Sequence, residues 1–275
     1  MAVDWLDILV RCRDEIQDRI TPLLREGEHD QPDLGVGAGG DQIREVDLVA
    51  EDAIVETLEG EGISCTLVSE EAGVKKFGST PDDCFVTVDP VDGTTNLMRG
   101  IPFYGTSIAV SRNPVIDDVH TALVADLVHD ITYTARKGEG AYRDEQRIAP
   151  SQTGSLENAV IGVDLNTYQV QEIAAQLTEL IRKTKHIRHL GANALEICHV
   201  ADGTTDAFVD MRGKLRTTDM AAAWLILKEA GGIITGMQGR SLEVNLSPQQ
   251  KVAFIAAANQ KIYALMLKAM TGKGT

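Results

Sequence analysis

Aromatic side chains are scarce in this chain, 4% of 275 residues, which leaves little from which to build a stacking platform for a purine. Cysteine is scarcer still. Cys12, Cys65, Cys84 and Cys198 are scattered without a C-x-x-C pair, so neither a zinc site nor a disulfide framework is indicated, and reduced thiols are expected. Long hydrophobic runs are missing. Stretches such as Ile108 to Val110 and Val252 to Ala258 fall far short of the ~20 apolar residues that a membrane-spanning helix needs. Asp4, Asp7 and Asp14 interrupt the N-terminal apolar pattern, which therefore does not read as a secretory signal, and a cytoplasmic location is expected. No long basic run occurs and the net charge is −15. Nucleic acid is a poor partner for such a surface, because phosphate backbones call for clustered Lys and Arg. Internal repeats and low-complexity tracts are also missing.

What is present is an ordinary globular composition, 43% apolar and 24% charged, with enough length to bury a substantial core in one large domain or two intimate ones. Val3 to Leu24 has apolar residues at helical spacing. Pro32 and the glycines from Gly35 to Gly40 then break the pattern into a surface loop, with no G-K-[ST] behind them to make a nucleotide loop. A second helix is expected from about Asp47 to Leu58. From Cys65 to Val163 the character is short and β-rich, with strands expected at Thr66 to Ser69, Phe85 to Asp89, Thr106 to Ser111, Thr121 to Asp126 and Ile131 to Ala135. Helices are expected at Gln169 to Arg182, Ala194 to Ala201, Asp219 to Ala230 and near Lys261 to Met270, with strands at Ile233 to Thr235 and Val252 to Ala257. Without regular βαβ alternation, the class is layered α+β with a large, partly antiparallel sheet. A division near residue 150 is expected, giving a 1–150 α+β half and a 151–275 α/β half of one compact unit.

The strongest local signal is Asp89-Pro90-Val91-Asp92-Gly93-Thr94-Thr95-Asn96, directly after the strand Phe85 to Val88. A strand end delivers Asp89 to the rim of a sheet. Pro90 stiffens the backbone, so that the carboxylates of Asp89 and Asp92 and the carbonyl of Val91 can converge. Hard oxygen donors of this kind suit Mg²⁺ shared with a substrate phosphate. Asp92-Gly93 is a turn signal, and Thr94 to Asn96 reads as a helix start whose N–H groups point at an anion. An isolated Asp-Gly pair is more often a plain turn; the number of mutually compatible roles in eight residues argues otherwise.

This segment resembles the signature of the inositol monophosphatase and fructose-1,6-bisphosphatase superfamily. Ser69-Glu70-Glu71 resembles its acidic motif. Asp219-Met220-Ala221-Ala222-Ala223 followed by Glu229-Ala230-Gly231-Gly232 resembles its third motif. Val46-Asp47 and Arg188-His189-Leu190-Gly191-Ala192 extend the resemblance over nearly the whole chain. It implies an αβαβα sandwich of the sugar-phosphatase type and an Mg²⁺-dependent phosphomonoester hydrolase with two or three ions per subunit. Glu70, Asp89 and the Val91 carbonyl would hold a first ion; Asp89, Asp92 and Asp219 would hold a second, and Glu70 with waters could help hold a third. Thr94 and Asp47 would serve as the base pair for attack by metal-activated water, and Gly93 and Thr94 N–H groups would hold the phosphoryl oxygens. From local sequence alone, Asp47 and Asp219 read equally well as helix caps, and Glu70-Glu71 as a solvated acidic loop. Crowded carboxylates repel unless cations sit between them, and such ions would also reconcile a net charge of −15 with an anionic substrate.

On the substrate side, Asp210 to Arg216 carries three cations just before Asp219. It reads either as a solvated turn or as a pocket for a second phosphate, with Arg212 and Lys214 as its donors. The basic stretch is similar to that of archaeal-type enzymes acting on both fructose 1,6-bisphosphate and inositol 1-phosphate. Asp92, Gly93, Thr94, Arg188 and Asn193 are further substrate-side candidates, with Tyr168 the weakest. Thr218, Ala223 and Leu97 replace the family's usual Trp, Gly and Phe, which bears on pocket shape and not on the ligands. The Gly35 to Gly40 loop is placed to close over the metals. A small phosphorylated sugar or polyol is the expected partner, with no membrane, and a homodimer is implied by the resemblance. The competing readings are a phosphatase of 3′-phosphoadenosine phosphate or NADP, and a non-catalytic sugar-phosphate-binding or scaffold homologue.

Overall fold

The computed structural model describes residues 3–25, 44–166, 170–247 and 250–271. Helix α1 (Trp5–Arg25) places Ile8, Leu9, Cys12, Ile16 and Ile20 on one buried stripe. It lies with α2 (Glu45–Gly60) on a sheet of eight strands. In chain order these are β1 (Cys65–Ser69), β2 (Gly73–Phe77), β3 (Phe85–Asp92), β4 (Gly105–Ser111), β5 (Val119–Asp126), β6 (Ile131–Arg136), β7 (Gly140–Arg143) and β8 (Gln146–Arg147). In space they run β2-β1-β3-β4-β5-β6-β7-β8, antiparallel except for the parallel pair β1 and β3.

The middle strands β3 and β4 are buried throughout because both sheet faces are covered. On β4, Ile108 and Val110 point to the α1 and α2 side, while Ala109 points to the opposite side. There the sheet meets α5 (Asn193–Ala201) and α6 (Thr217–Ala230). Met220 to Leu227 of α6 are buried all round, since that helix is packed between two sheets. The second sheet has order β10-β9-β11-β13-β12. Its strands are β9 (Val160–Asp164), β10 (His186–Arg188), β11 (Ala207–Arg216), β12 (Ile233–Gly236) and β13 (Lys251–Ala257). Its outer face is covered by α4 (Val170–Lys183) and α7 (Gln260–Thr271), through Leu177, Leu180, Ile262 and Met266 against Ile161, Val209 and Ile255. The layers are helices, sheet, helices, sheet, helices: the αβαβα sandwich.

The four cysteines are free thiols, Cys84 half-buried and the others buried. No helix among the described residues is long and apolar enough to cross a membrane. One local expectation needs correction. Asp210 to Arg216 is not a turn between strand and helix but the second half of β11, whose ladder with β13 loses register between Asp210 and Leu215. The bulge carries Gly213 at φ 62, a left-handed conformation that glycine adopts without strain.

Candidate active site

The ends of several elements meet at one rim of the first sheet. Strand β3 keeps its ladder with β4 as far as Asp89 opposite Ser107 and resumes it at Asp92 opposite Gly105. Pro90, between them, has no N–H for the ladder, and the break falls there. Gly93 follows at φ 92, and a Cβ on it would sit 3.2 Å from the Phe103 carbonyl oxygen and 3.3 Å from that of Gly191. Conformation and space both call for glycine at the entrance to α3 (Thr94–Arg99). Asn96 then fastens this segment to the far half of the chain: its Nδ2 donates to the carbonyls of Phe103 and Leu190, at 2.7 Å each.

Strand β1, parallel to β3 and next to it, ends at Ser69 and delivers Glu70 to the same rim. Helix α6 brings Asp219 in its first turn. Carboxylate oxygens of Glu70, Asp89 and Asp219 lie within 4.8 Å of one another. Burial, then the charges of Glu70, Asp219 and Asp92, push the Asp89 carboxyl well above the ordinary carboxylate range. Burial also raises Asp219, against the opposing pull of Arg216 and Thr218. Arg216 supplies positive charge inside the cluster, with Nη2 2.5 Å from Glu70 Oε1 and Nε 3.4 Å from Asp219 Oδ1. An all-oxygen, like-charged, buried donor set of this kind fits a small hard divalent cation such as Mg²⁺.

Asp92 stands beside this trio and also caps a helix. Its Oδ1 accepts the Asn193 N–H at 3.0 Å and its Oδ2 the Ala194 N–H at 2.6 Å, so the start of α5 is satisfied from across the site. Burial and the nearby Asp219 nevertheless push Asp92 up to about 8, a shift that added positive charge would oppose. Asp47, in the first turn of α2, likewise both caps and reaches the site. Its Oδ2 accepts the Arg44 N–H at 3.1 Å, while Oδ1 lies 3.3 Å from the Thr94 hydroxyl. That hydroxyl is closer to the Val91 carbonyl, at 2.9 Å; the carbonyl keeps a second lone pair for another partner. Burial pushes Asp47 up to about 6, opposed by the Arg44 and Thr94 hydrogen bonds.

The substrate-side candidates separate. Asn193 donates its backbone N–H to Asp92, and its side-chain Oδ1 is buried with no hydrogen-bond partner among the described residues. Arg188 and Lys214 are exposed. Arg212, expected to receive a phosphate, is already engaged. Its Nη2 lies 2.5 Å from Asp164 and 2.6 Å from Asp210, its Nε is 3.0 Å from Asp210, and its side chain is only 10% exposed. Two buried carboxylates on neighbouring parallel strands, in register as Asp210 opposite Asp164, need that guanidinium between them. Tyr168 and the Gly35 to Gly40 loop lie outside the described residues.

Two participants were given no role of their own in the sequence reading. Arg216 carried a signal in its spacing, three residues before Asp219 on what becomes the helix entrance. Asp164 carried another, because Val160 to Asp164 ends an apolar strand in Asp as Phe85 to Asp89 does.

Residues 6–273 match the model of the inositol monophosphatase family. A fructose-1,6-bisphosphatase/inositol-1-monophosphatase of Methanothermobacter thermautotrophicus is 33% identical over 97% of this chain and 96% of its own. A bifunctional NADP phosphatase/NAD kinase of Methanococcus maripaludis is 30% identical over 93% of this chain and 47% of its own. Among solved structures, an inositol monophosphatase–fructose 1,6-bisphosphatase superposes with a TM-score of 0.84, at 29% identity over 97% of this chain and all of that one.

Proposed function

Because the chain belongs to the inositol monophosphatase family and is a phosphatase, we propose that it hydrolyses phosphomonoesters of small sugars or polyols, with fructose 1,6-bisphosphate and inositol 1-phosphate as its substrates. The observation that carries this reading is the convergence of Glu70, Asp89 and Asp219 within 4.8 Å, with Asp92 and the Thr94–Asp47 pair alongside. Glu70, Asp89 and the Val91 carbonyl would hold one Mg²⁺, and Asp89, Asp92 and Asp219 a second. Two or three such ions per subunit would neutralise the phosphate and activate water as the nucleophile.

The remaining work falls to the chain's own groups. Asp47 is mostly ionised at neutral pH, since burial raises it only to about 6, and it accepts a proton through the Thr94 hydroxyl 3.3 Å away. Gly93 and Thr94 turn their N–H groups toward the phosphoryl oxygens at the start of α3. Asn193, tied to Asp92 through its backbone N–H, is the candidate to meet a hydroxyl of the sugar. Lys214 and Arg188, both exposed, would supply the cations for a second phosphate. A homodimer, checked by light scattering, and a cytoplasmic location, checked by cell fractionation, complete the reading.

A second reading, hydrolysis of the 2′-phosphate of NADP, is favoured by the likeness to the bifunctional NADP phosphatase/NAD kinase. Phosphate release from fructose 1,6-bisphosphate, inositol 1-phosphate, NADP and 3′-phosphoadenosine phosphate, with Mg²⁺ or with EDTA, separates the two. Turnover of the sugar and polyol esters that disappears in EDTA is the expected result. Preference for a nucleotide overturns the substrate assignment, and undiminished turnover in EDTA overturns the metal chemistry.

A further inference from the structure

Glu51 lies one helical turn beyond Asp47 on α2 and is 2% exposed, yet it is not among the clustered carboxylates. Its oxygens are nonetheless fully engaged. The Ser69 hydroxyl and the Ala72 N–H (3.2 Å) donate to Oε2, and Lys75 Nζ lies 2.8 Å from Oε1. Ser69 Oγ in turn accepts the Glu71 N–H at 3.2 Å. These groups bracket Glu70 on both sides.

The geometry of the turn explains why such a clamp is needed. Ser69 pairs with Gly73 across the antiparallel β1–β2 ladder, so Glu70, Glu71 and Ala72 form a three-residue loop with two adjacent carboxylates. Those carboxylates repel each other, and Glu70 is further repelled by Asp89 and Asp219. Arg216 draws the Glu70 carboxylate inward, but it acts on the head group and leaves the backbone of this short, like-charged loop to be fixed by other contacts. Glu51 supplies these by taking one backbone N–H of the loop directly and a second through Ser69, and Lys75 neutralises the buried charge that does so. Because α2 also carries Asp47 to Thr94, one rigid helix sets both the base and the acidic turn.

We propose that Glu51 is a positioning residue for metal binding: it holds the 69–72 turn so that the Glu70 carboxylate faces Asp89 and Asp219. The proposal rests on the reading of Glu70 as a metal ligand. Groups that orient ligands from behind typically govern metal affinity by about 10–100-fold, and the same scale is expected here.

The test is Mg²⁺ binding by titration calorimetry on the wild type and on Glu51→Gln, Ser69→Ala and Glu70→Gln, with near-ultraviolet circular dichroism to establish that each is folded. Glu51→Gln is expected to weaken Mg²⁺ by about tenfold or more, and Ser69→Ala less but in the same direction. In turnover assays the Mg²⁺ activation constant should rise while substrate KM at saturating Mg²⁺ stays put, and added Mg²⁺ should restore the rate. A buried ion pair with only a structural role would lower the melting temperature and leave Mg²⁺ affinity unchanged. A folded Glu51→Gln within twofold of wild type overturns the proposal; if that variant fails to fold, unchanged affinity in Ser69→Ala does so instead. Glu70→Gln separates the two levels. Lost affinity there beside unchanged affinity in Glu51→Gln removes only the positioning role, whereas unchanged affinity in Glu70→Gln removes the ligand reading and the proposal with it.

Discussion

Arg216 Nη2 lies 2.5 Å from Glu70 Oε1, and its Nε lies 3.4 Å from Asp219 Oδ1. One guanidinium therefore bridges carboxylates delivered by two distant parts of the chain. Arg216→Met would leave buried negative charges facing one another. Breaking a buried pair in this way costs about 3–5 kcal/mol, so melting in EDTA should fall by several degrees. Because the guanidinium also repels a cation, Mg²⁺ should recover more melting temperature in the variant than in the wild type. Equal Mg²⁺-induced shifts in the two proteins would show that Arg216 does not act on the cluster.

Asp92 serves two masters, and its amide replacement should reveal both. Asp92→Asn would offer an NH₂ group to one of the N–H donors of Asn193 and Ala194, leaving the start of α5 with an unsatisfied donor. A destabilisation of about 1–3 kcal/mol is expected, together with a loss of turnover of orders of magnitude. Denaturant melts and phosphate release measure the two separately; unchanged stability would contradict the capping role.

Asp47, held up to about 6 by burial, must be ionised to accept a proton. The rate should therefore drop about tenfold per pH unit below this value, and Asp47→Asn should lose that acid limb along with about 10²–10⁴ of the rate. A pH–rate profile that keeps the limb in Asp47→Asn assigns it to another group.

Lys214→Ala should impair fructose 1,6-bisphosphate more than inositol 1-phosphate, because only the former has a second phosphate. Arg212→Met should instead impair both substrates equally and lower stability by about 3–5 kcal/mol, as Asp164 and Asp210 lose their shared cation. Steady-state kinetics on both substrates, with melts, distinguish the two roles.

Glu196 is pushed up to about 7 by burial, against the N–H groups of Gly191 and Leu190, both of which donate to Oε1. A carboxyl raised in the folded state is stabilising while protonated, so its contribution is present below about 4.5 and is lost as pH rises to about 7. Glu196→Gln keeps an Oε1 acceptor for both N–H groups and removes the charge. The variant should match the wild type near pH 4.5, exceed it at pH 8, and show a flatter stability profile between; parallel profiles would place the titration elsewhere.

Much of this candidate site was legible in the sequence. Asp89, Asp92, Glu70 and Asp219 each end a strand or open a helix, and local pattern alone reports where such ends fall. The expected helix starting near Asp47 in fact begins at Glu45, close enough to place that residue in the first turn. The ion pairs of Arg212 were not legible, for the opposite reason. Its partner Asp164 lies 48 residues earlier, and their meeting depends on the parallel register of β9 and β11, which no local pattern encodes. The strand β9 itself went unnoticed, because a five-residue apolar run is also what a buried helix segment shows.

By itself, then, the sequence determined the chemistry on offer: which carboxylates, which hydroxyl and which cations the chain possesses, and which lie at element ends, because hydrogen-bonding habit and hydrophobic period are local properties. Only the tertiary structure decided which charges neutralise which. Arg216 joins the acidic cluster, Arg212 is bound to Asp164 and Asp210, and Glu51 stands behind the Glu70 turn. The physical reason is that a buried charge takes as partner whatever the packed layers bring within a few ångströms, and sheet register and layer order set that distance irrespective of separation along the chain.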